Sequence, residues 1–350
     1  MQDLTRPLPA LPAKIEAQLQ DLYVRGTPAN TLRAYERDLI YVTAWKQAAF
    51  GMPLVWPEDQ QVALRFILDH SSDLTDKNSS DEARIVARAL MAMGLRKSLA
   101  CPAPATLDRR VASWAVFHRM RDLDSPFSAP LLIQTRRKAR RAAARAPVAK
   151  SRNPITKAIL TQLTDTCDGT LRGIRDRAVL LTGFASGGRR RSELTGLNRE
   201  DISLRRFDDD GLIHLTLLDT KTTSANDPQR LVLKGQAARA LVAWIDAAEI
   251  TDGPLFRPVS RGDRALQRRL CPDAIRQIVK HRLVLAGLPA DFASPHGLRS
   301  GFLTEAALQG APIQAAMRLS LHRSMAQAQK YYDDVEIEDN PAAGLLESGL

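Results

Sequence analysis

Arg190, Lys221, His296-Gly-Leu-Arg299, His322 and Tyr331 occur in this order along the second half of the chain, with the tyrosine nine positions beyond the second histidine (322 to 331). Two guanidinium groups, a lysine, two imidazoles and a phenol scattered over so much sequence make joint sense around one reaction centre. A chain that uses them together must fold them to one point. The set is an electrostatic kit for attack on a DNA phosphodiester by tyrosine, and no other feature of the sequence competes with it.

A phosphodiester resists attack because its nonbridging oxygens repel the nucleophile, and further negative charge collects on the phosphoryl group in the transition state. Arginine answers this best: it stays charged, and its planar fork fits phosphate oxygens bidentately where charge develops. A phenol with an ordinary pKa of about 10 needs a base or cationic surroundings to act as nucleophile. The departing sugar hydroxyl needs a proton donor, and histidine and lysine can fill these posts.

Local sequence supports each member. Arg190 lies in Ser186-Gly-Gly-Arg-Arg-Arg-Ser-Glu-Leu194, where a glycine turn follows an apolar helix, Ala178 to Phe184, and a new helix begins whose N-terminal amides favour an anion. An arginine triplet there is also an ordinary solvated helix start. Glu193, three residues on, shares the face of Arg190 and can orient its guanidinium. Lys221 follows the alternating run Leu212-Ile-His-Leu-Thr-Leu-Leu218 and precedes Arg230-Leu-Val-Leu233, which together predict a hairpin with the lysine in its polar connection. Taken alone, such a lysine is an exposed charge. His296 and Arg299 are three apart on one helix face, after Ser294-Pro295 as a start signal. Leu319 to Ser324 reads as a turn into a short helix that could swing the phenol toward the other groups.

These residues resemble the tyrosine recombinase, or phage-integrase, family, in the manner of the Cre-type simple recombinases, over nearly the whole chain. Its first arginine box matches Gly188 to Leu194 and falls on Arg190. Its hairpin lysine matches Lys221, its His-x-x-Arg box His296 and Arg299, its third histidine His322, and its nucleophile Tyr331, with the adjacent Tyr332 as competitor. Leu321 stands where the family often has glycine, and among three consecutive arginines only Glu193 sets the register of the first box.

Composition agrees with a polyanionic partner: 50 Lys plus Arg against 39 Asp plus Glu, a net charge of +11 and a pI near 9.9. Ribosomal or membrane-surface proteins can share that balance. No apolar run approaches the roughly 18 residues of a membrane span, and Met1-Gln-Asp-Leu-Thr-Arg6 lacks the regions of a signal peptide, so a cytoplasmic protein is expected. Cys101, Cys167 and Cys271 are scattered and read as reduced packing residues.

The first third predicts helices. Leu32, Tyr35, Leu39, Val42 and Trp45 keep helical spacing after Thr27-Pro28, and further starts fall near Pro57, Asp81 and Thr106, with Trp114 and His118 in the core. Arg136-Arg-Lys-Ala-Arg-Arg141, continuing through Arg145, Lys150 and Arg152 without an acid, suggests phosphate contact at the passage between domains, against the plainer reading of a solubilising linker.

The resemblance implies a mainly α fold with a small β-sheet, a helical core-binding domain plus an α+β catalytic domain forming a C-shaped clamp on DNA. The expected division is a tail at 1–14, a helical DNA-binding domain at 15–141, a linker at 142–154, a catalytic domain at 155–335 and a tail at 336–350. The first domain would meet DNA through Arg33, in Thr31-Leu-Arg-Ala-Tyr35, and through Arg136, Arg137, Arg140 and Arg141. No room is expected for a further arm-binding domain. The acidic tail after Tyr332, ending in Ala342-Ala-Gly-Leu-Leu346, would dock on a neighbouring protomer or else be a frayed terminus.

The implied activity is site-specific recombination through a 3′-phosphotyrosine, without metal or other cofactor, on duplex sites with inverted repeats bound by a tetramer. In it Tyr331 attacks, Arg190 and Arg299 hold the nonbridging oxygens, Lys221 protonates the leaving oxygen, His296 serves the tyrosine proton and His322 adds a hydrogen bond. A type IB topoisomerase and an inactive DNA-binding protein are the alternatives.

Overall fold

The computed structural model describes residues 12–76, 78–143, 151–217, 228–322 and 324–336. It divides into two compact units, Met1–Pro147 and Val148–Leu350. The division falls inside the stretch 142–154 expected to link two domains.

The first unit is helical: α1 (Ala13–Gly26), α2 (Ala29–Phe50), α3 (Gln60–Asp69), α4 (Asp81–Ala92), α5 (Pro104–Arg119) and α6 (Pro130–Ala142). Side-chain caps start two of these helices. Asp59 accepts the Gln61 N–H and Ser80 the Ala83 N–H, satisfying amides that have no partner within the helix. Proline opens α5 and α6, where its fixed φ suits the first turn and its missing N–H costs nothing. The core is aromatic: Trp45, Phe66 and Trp114 are wholly buried and meet edge to face. Trp114 and His118 are buried as expected.

Buried charge in this unit had no signal in the sequence pattern. On α2, Lys46 is enclosed with Glu58 at 2.6 Å, and Asp38 receives Ser113 at 2.7 Å as well as Arg109. Helix α1 was not anticipated either, although Ile15, Leu19, Leu22 and Tyr23 keep helical spacing; none of its described side chains is fully buried.

The second unit opens with α7 (Lys157–Asp165), α8 (Leu171–Ala185) and the short α9 (Arg191–Gly196). A three-stranded antiparallel sheet follows, in the order β1 (Ile202–Arg206), β2 (Leu212–Leu217), β3 (Gln229–Leu233), with one-turn α10 (Phe207–Asp210) between its first two strands. Strands β2 and β3 pair as the predicted hairpin, His214 opposite Val232. Strand β1 was not foreseen; it is five residues long and irregular in register between Ser203 and Arg206. Helices α11 (Gly235–Ala247), α12 (Pro272–Leu285), α13 (His296–Leu308), α14 (Ile313–Ser320) and α15 (Met325–Glu336) complete the unit.

Helix α8 is the spine. Its Val179 packs with the sheet residues Ile213, Leu215 and Leu233 and with Trp244 of α11. The next residue, Leu180, packs on the other side with Leu163, Val279 and Leu298. A third cluster, Leu303, Ala316 and Tyr332, ties α13, α14 and α15 together. Burying a leucine stabilises by about 1.5–3 kcal/mol, so these clusters fix the ends of α8, α13 and α14 relative to one another. Arg190, Arg299 and His322 sit near those ends.

Candidate active site

Two glycines bring the two arginine boxes together. Gly187 and Gly188 follow α8 with φ of +94° and +69°, left-handed values that glycine adopts without penalty. A Cβ on Gly187 would stand 2.3 Å from the Leu319 carbonyl oxygen, and one on Gly188 would stand 2.2 Å from Arg299 Cα. Backbone from α8, α13 and the end of α14 therefore meets with no side chain between.

Arg190 precedes α9, and Glu193 serves it twice: one carboxylate oxygen accepts the guanidinium at 2.5 Å, the other the Arg190 backbone N–H at 3.3 Å. One amide at this helix start, that of Arg190, is thus taken by a carboxylate of the chain itself. The Arg190 side chain is 35% exposed, against 4% for Glu193, so its fork reaches the surface from a buried anchor.

Arg299 lies on the first turn of α13 and is buried. Its Nε donates to His322 Nε2 at 3.2 Å and its Nη1 to the Gly188 carbonyl at 3.3 Å. Burial, then repulsion from Arg189 and Arg190, pushes its pKa down to about 10, while Glu193 and Tyr331 pull the other way. It stays charged at neutral pH, and Tyr331 lies within its electrostatic reach.

His322 follows Leu321, which takes the left-handed conformation at φ 53° after α14. The family's frequent glycine is explained by that conformation. Leucine adopts it here at a cost of roughly 1–2 kcal/mol, partly offset because Leu321 packs against the core of the unit. Burial, then the fields of Arg299, Arg190, Arg189 and His296, lowers the His322 pKa to about 4. The imidazole is neutral at pH 7.

His296 begins α13, its N–H held by the Ser294 hydroxyl at 3.2 Å, so the expected Ser-Pro start signal operates. On α15 the two tyrosines differ. Tyr332 is buried and donates its hydroxyl to the Ala311 carbonyl at 3.0 Å. Tyr331 is half-buried and is the tyrosine that acts on Arg299. Lys221 and the tail residues Leu345 and Leu346 lie outside the described residues, as do Arg145 and Lys150.

The structure thus brings Arg190, Glu193, Arg299, His322, His296 and Tyr331 into one neighbourhood. It also adds a residue that sequence reasoning missed. Arg189 is buried among them, donating to the Leu319 carbonyl at 2.7 Å, with Glu193 3.5 Å away. Burial is the main reason its pKa falls to about 10. Inside an arginine triplet nothing local distinguishes the buried member from the exposed ones.

The basic stretch is placed differently from the expectation of an interdomain passage. Arg136 to Arg141 form the last turns of α6 within the first unit. Asp108, from α5, pairs with both Arg136 and Arg140. A scan for neighbouring acids along the sequence could not see a carboxylate arriving from another helix. Arg137 and Arg141, one turn apart and exposed, make no ion pair with a described residue. Arg33 is exposed on α2 and donates to Asn30 at 3.1 Å. Of the cysteines, Cys101 and Cys167 are buried as expected, whereas Cys271 is exposed at the start of α12.

Residues 154–336 match the Phage integrase family, and the chain belongs to that family. An integrase/recombinase XerD homolog of Selenomonas ruminantium is 32% identical over 199 residues, 55% of this chain and 57% of the relative. The tyrosine recombinase XerD of Listeria monocytogenes is 25% identical over 312 residues, 88% and 89% of the two chains. The chain spans about half the length of most of the curated relatives it matches. In fold it is similar to the Tn1549 transposon integrase solved with transposon right-end DNA, with TM-score 0.51, 15% identity and coverage of 92% and 98%. A lambda integrase dimer on a core site gives TM-score 0.50, also at 15% identity, covering 91% and 94%.

Proposed function

We propose that this chain is a site-specific DNA recombinase that cuts and rejoins duplex DNA through a tyrosine. The observation that carries the reading is the placement of Arg299, which is buried, charged, held by His322 and the Gly188 carbonyl, and within electrostatic reach of Tyr331.

In this reading the Tyr331 phenol attacks the scissile phosphorus, its proton passing to His296. Arg190 and Arg299 bind the nonbridging oxygens, where fixed cationic donors act most strongly on the charge that develops. The bond to the 5′ oxygen breaks, and Lys221 protonates that oxygen. A 3′-phosphotyrosyl link replaces one phosphodiester with another of similar energy, so a 5′ hydroxyl from a second duplex can reverse the step and exchange strands. Exposed Arg33, Arg137 and Arg141 suit phosphate contacts that set position rather than sequence. The substrate would be a site with inverted repeats, occupied by a tetramer in the cytoplasm. No helix among the described residues is long and apolar enough to cross a membrane.

The test is selection from nicked duplexes with randomised flanks. The loss of a short fragment beyond the nick strands the covalent complex, which survives denaturation. We expect such a complex, formed equally well in excess EDTA. Binding without any covalent product would return the chain to an inactive DNA-binding protein.

A further inference from the structure

Ser320 closes α14 with no exposed surface, and its Oγ lies 2.7 Å from His322 Nδ1 and 3.5 Å from the Met317 carbonyl oxygen. The other nitrogen of the ring, Nε2, lies 3.2 Å from Arg299 Nε. An arginine Nε always carries its hydrogen and cannot accept. His322 Nε2 must therefore be the acceptor, and the proton of the neutral ring must sit on Nδ1, where Ser320 Oγ receives it. The serine hydroxyl then turns its own hydrogen toward Met317. With Nε–H given to His322 and one Nη1 hydrogen to Gly188, the remaining edge of the Arg299 fork is what can meet a phosphate.

The turn that carries this hydrogen bond is held from its other side. Arg189, its side chain 1% exposed, donates to the Leu319 carbonyl at 2.7 Å, and Gly187 leaves no space above the same carbonyl. Were the ring proton on Nε2 instead, two N–H groups would point at one another and drive the guanidinium off its line.

We propose that Ser320 is a positioning residue for DNA cleavage: by accepting from Nδ1–H it stabilises the His322 tautomer that Arg299 Nε–H requires, and so holds that histidine as the acceptor that aims Arg299 at the scissile phosphate. The proposal rests on the recombinase reading and specifies the hydrogen bond that His322 adds in it as one that orients arginine. The identity of the group partnering the second ring nitrogen fixes the tautomer, and a histidine so fixed has one orientation to offer. The low pKa of His322 keeps the ring neutral, so the choice between tautomers is the choice that matters.

The full-length chain labelled with ¹⁵N at histidine has six imidazoles to observe. His322 is recognised by the signal lost in His322→Gln. Two-bond proton–nitrogen correlation separates the two neutral tautomers and the imidazolium. At pH 7 we expect His322 with hydrogen on Nδ1 and a bare Nε2. Ser320→Ala should give a mixture or the other tautomer, and slow covalent complex formation about five- to tenfold, the effect of one misdirected hydrogen bond. Affinity for the duplex should not change, and Ser320→Thr, which keeps the hydroxyl, should restore both tautomer and rate.

Hydrogen on Nε2 in the wild-type protein overturns the proposal without need of any variant. So does a Ser320→Ala protein whose cleavage rate equals that of the wild type, whatever its tautomer. Failure of the wild-type chain to form a covalent complex removes the recombinase reading instead, while the spectrum still decides the role of Ser320 in stabilising the tautomer.

Discussion

Gly188 has room for nothing larger than hydrogen: its φ is left-handed and the Cα of Arg299 occupies the place a Cβ would take. Since the obstruction is backbone, Gly188→Ala must either strain the turn or shift α13. We expect a loss of roughly 1–3 kcal/mol of stability and, in the protein that still folds, a loss of covalent trapping larger than the loss of DNA affinity. Urea unfolding together with the trapping assay measures both, and trapping at the wild-type rate would refute the close approach. A second residue governs acid stability. His70 is wholly buried, Nδ1 donating to the Phe66 carbonyl and Nε2 accepting from the Tyr41 hydroxyl, and burial chiefly lowers its pKa to about 3. Between about pH 6.5, where an unfolded histidine titrates, and pH 3, the unfolded chain binds a proton that the folded one refuses. Stability must therefore fall as pH drops through that window. His322, depressed to about 4, adds in the same direction. Unfolding at a series of pH values should show this slope, and His70→Gln should flatten it; parallel curves would contradict the assignment.

At the scale of elements, the turn between α14 and α15 sets where His322 and Tyr331 arrive. Leu321 is strained there, and its packing against the core offsets part of that strain. Leu321→Gly should thus change stability by no more than about 1 kcal/mol, because relief of the left-handed strain balances the missing leucine packing. Leu321→Val, branched at Cβ, should cost clearly more, and thermal unfolding of the pair checks the difference. In α6, Asp108 already engages Arg136 and Arg140, so the exposed pair Arg137 and Arg141 is better placed to meet phosphate. Neutralising those two should flatten the slope of log K against log salt by roughly 0.9 for each phosphate no longer engaged, more than neutralising Arg136 and Arg140. Equal slopes would return the whole run to a solvated face. The sequence was informative wherever chemistry demands a residue type at helical spacing. Arg190 with Glu193, and His296 with Arg299, are three apart and could be read directly. It was silent where partners come from elsewhere in the chain: Asp108 under α6 and the Leu319 carbonyl under Arg189.

For the whole molecule, the mainly helical fold with one small sheet was legible because the hairpin alternates and the helices carry caps and prolines. Strand β1 was not, being five residues long and irregular in register, and the helical spacing of Ile15, Leu19, Leu22 and Tyr23 in α1 was passed over. Between the adjacent tyrosines, the nine-residue spacing from His322 points to Tyr331, and the two differ in packing. Tyr332 fills the α13–α14–α15 cluster, while Tyr331 packs half-buried at its edge and acts electrostatically on Arg299. The most direct test is to locate the covalent bond itself. Trypsin cuts after Lys330, and no lysine or arginine follows, so the peptide that holds both tyrosines begins at Tyr331. Fragmentation of that peptide from a trapped complex, after nuclease digestion, should place the phosphonucleotide on Tyr331, and Tyr331→Phe should yield no adduct while binding DNA normally. An adduct on Tyr332, or on any residue other than Tyr331, would contradict the account.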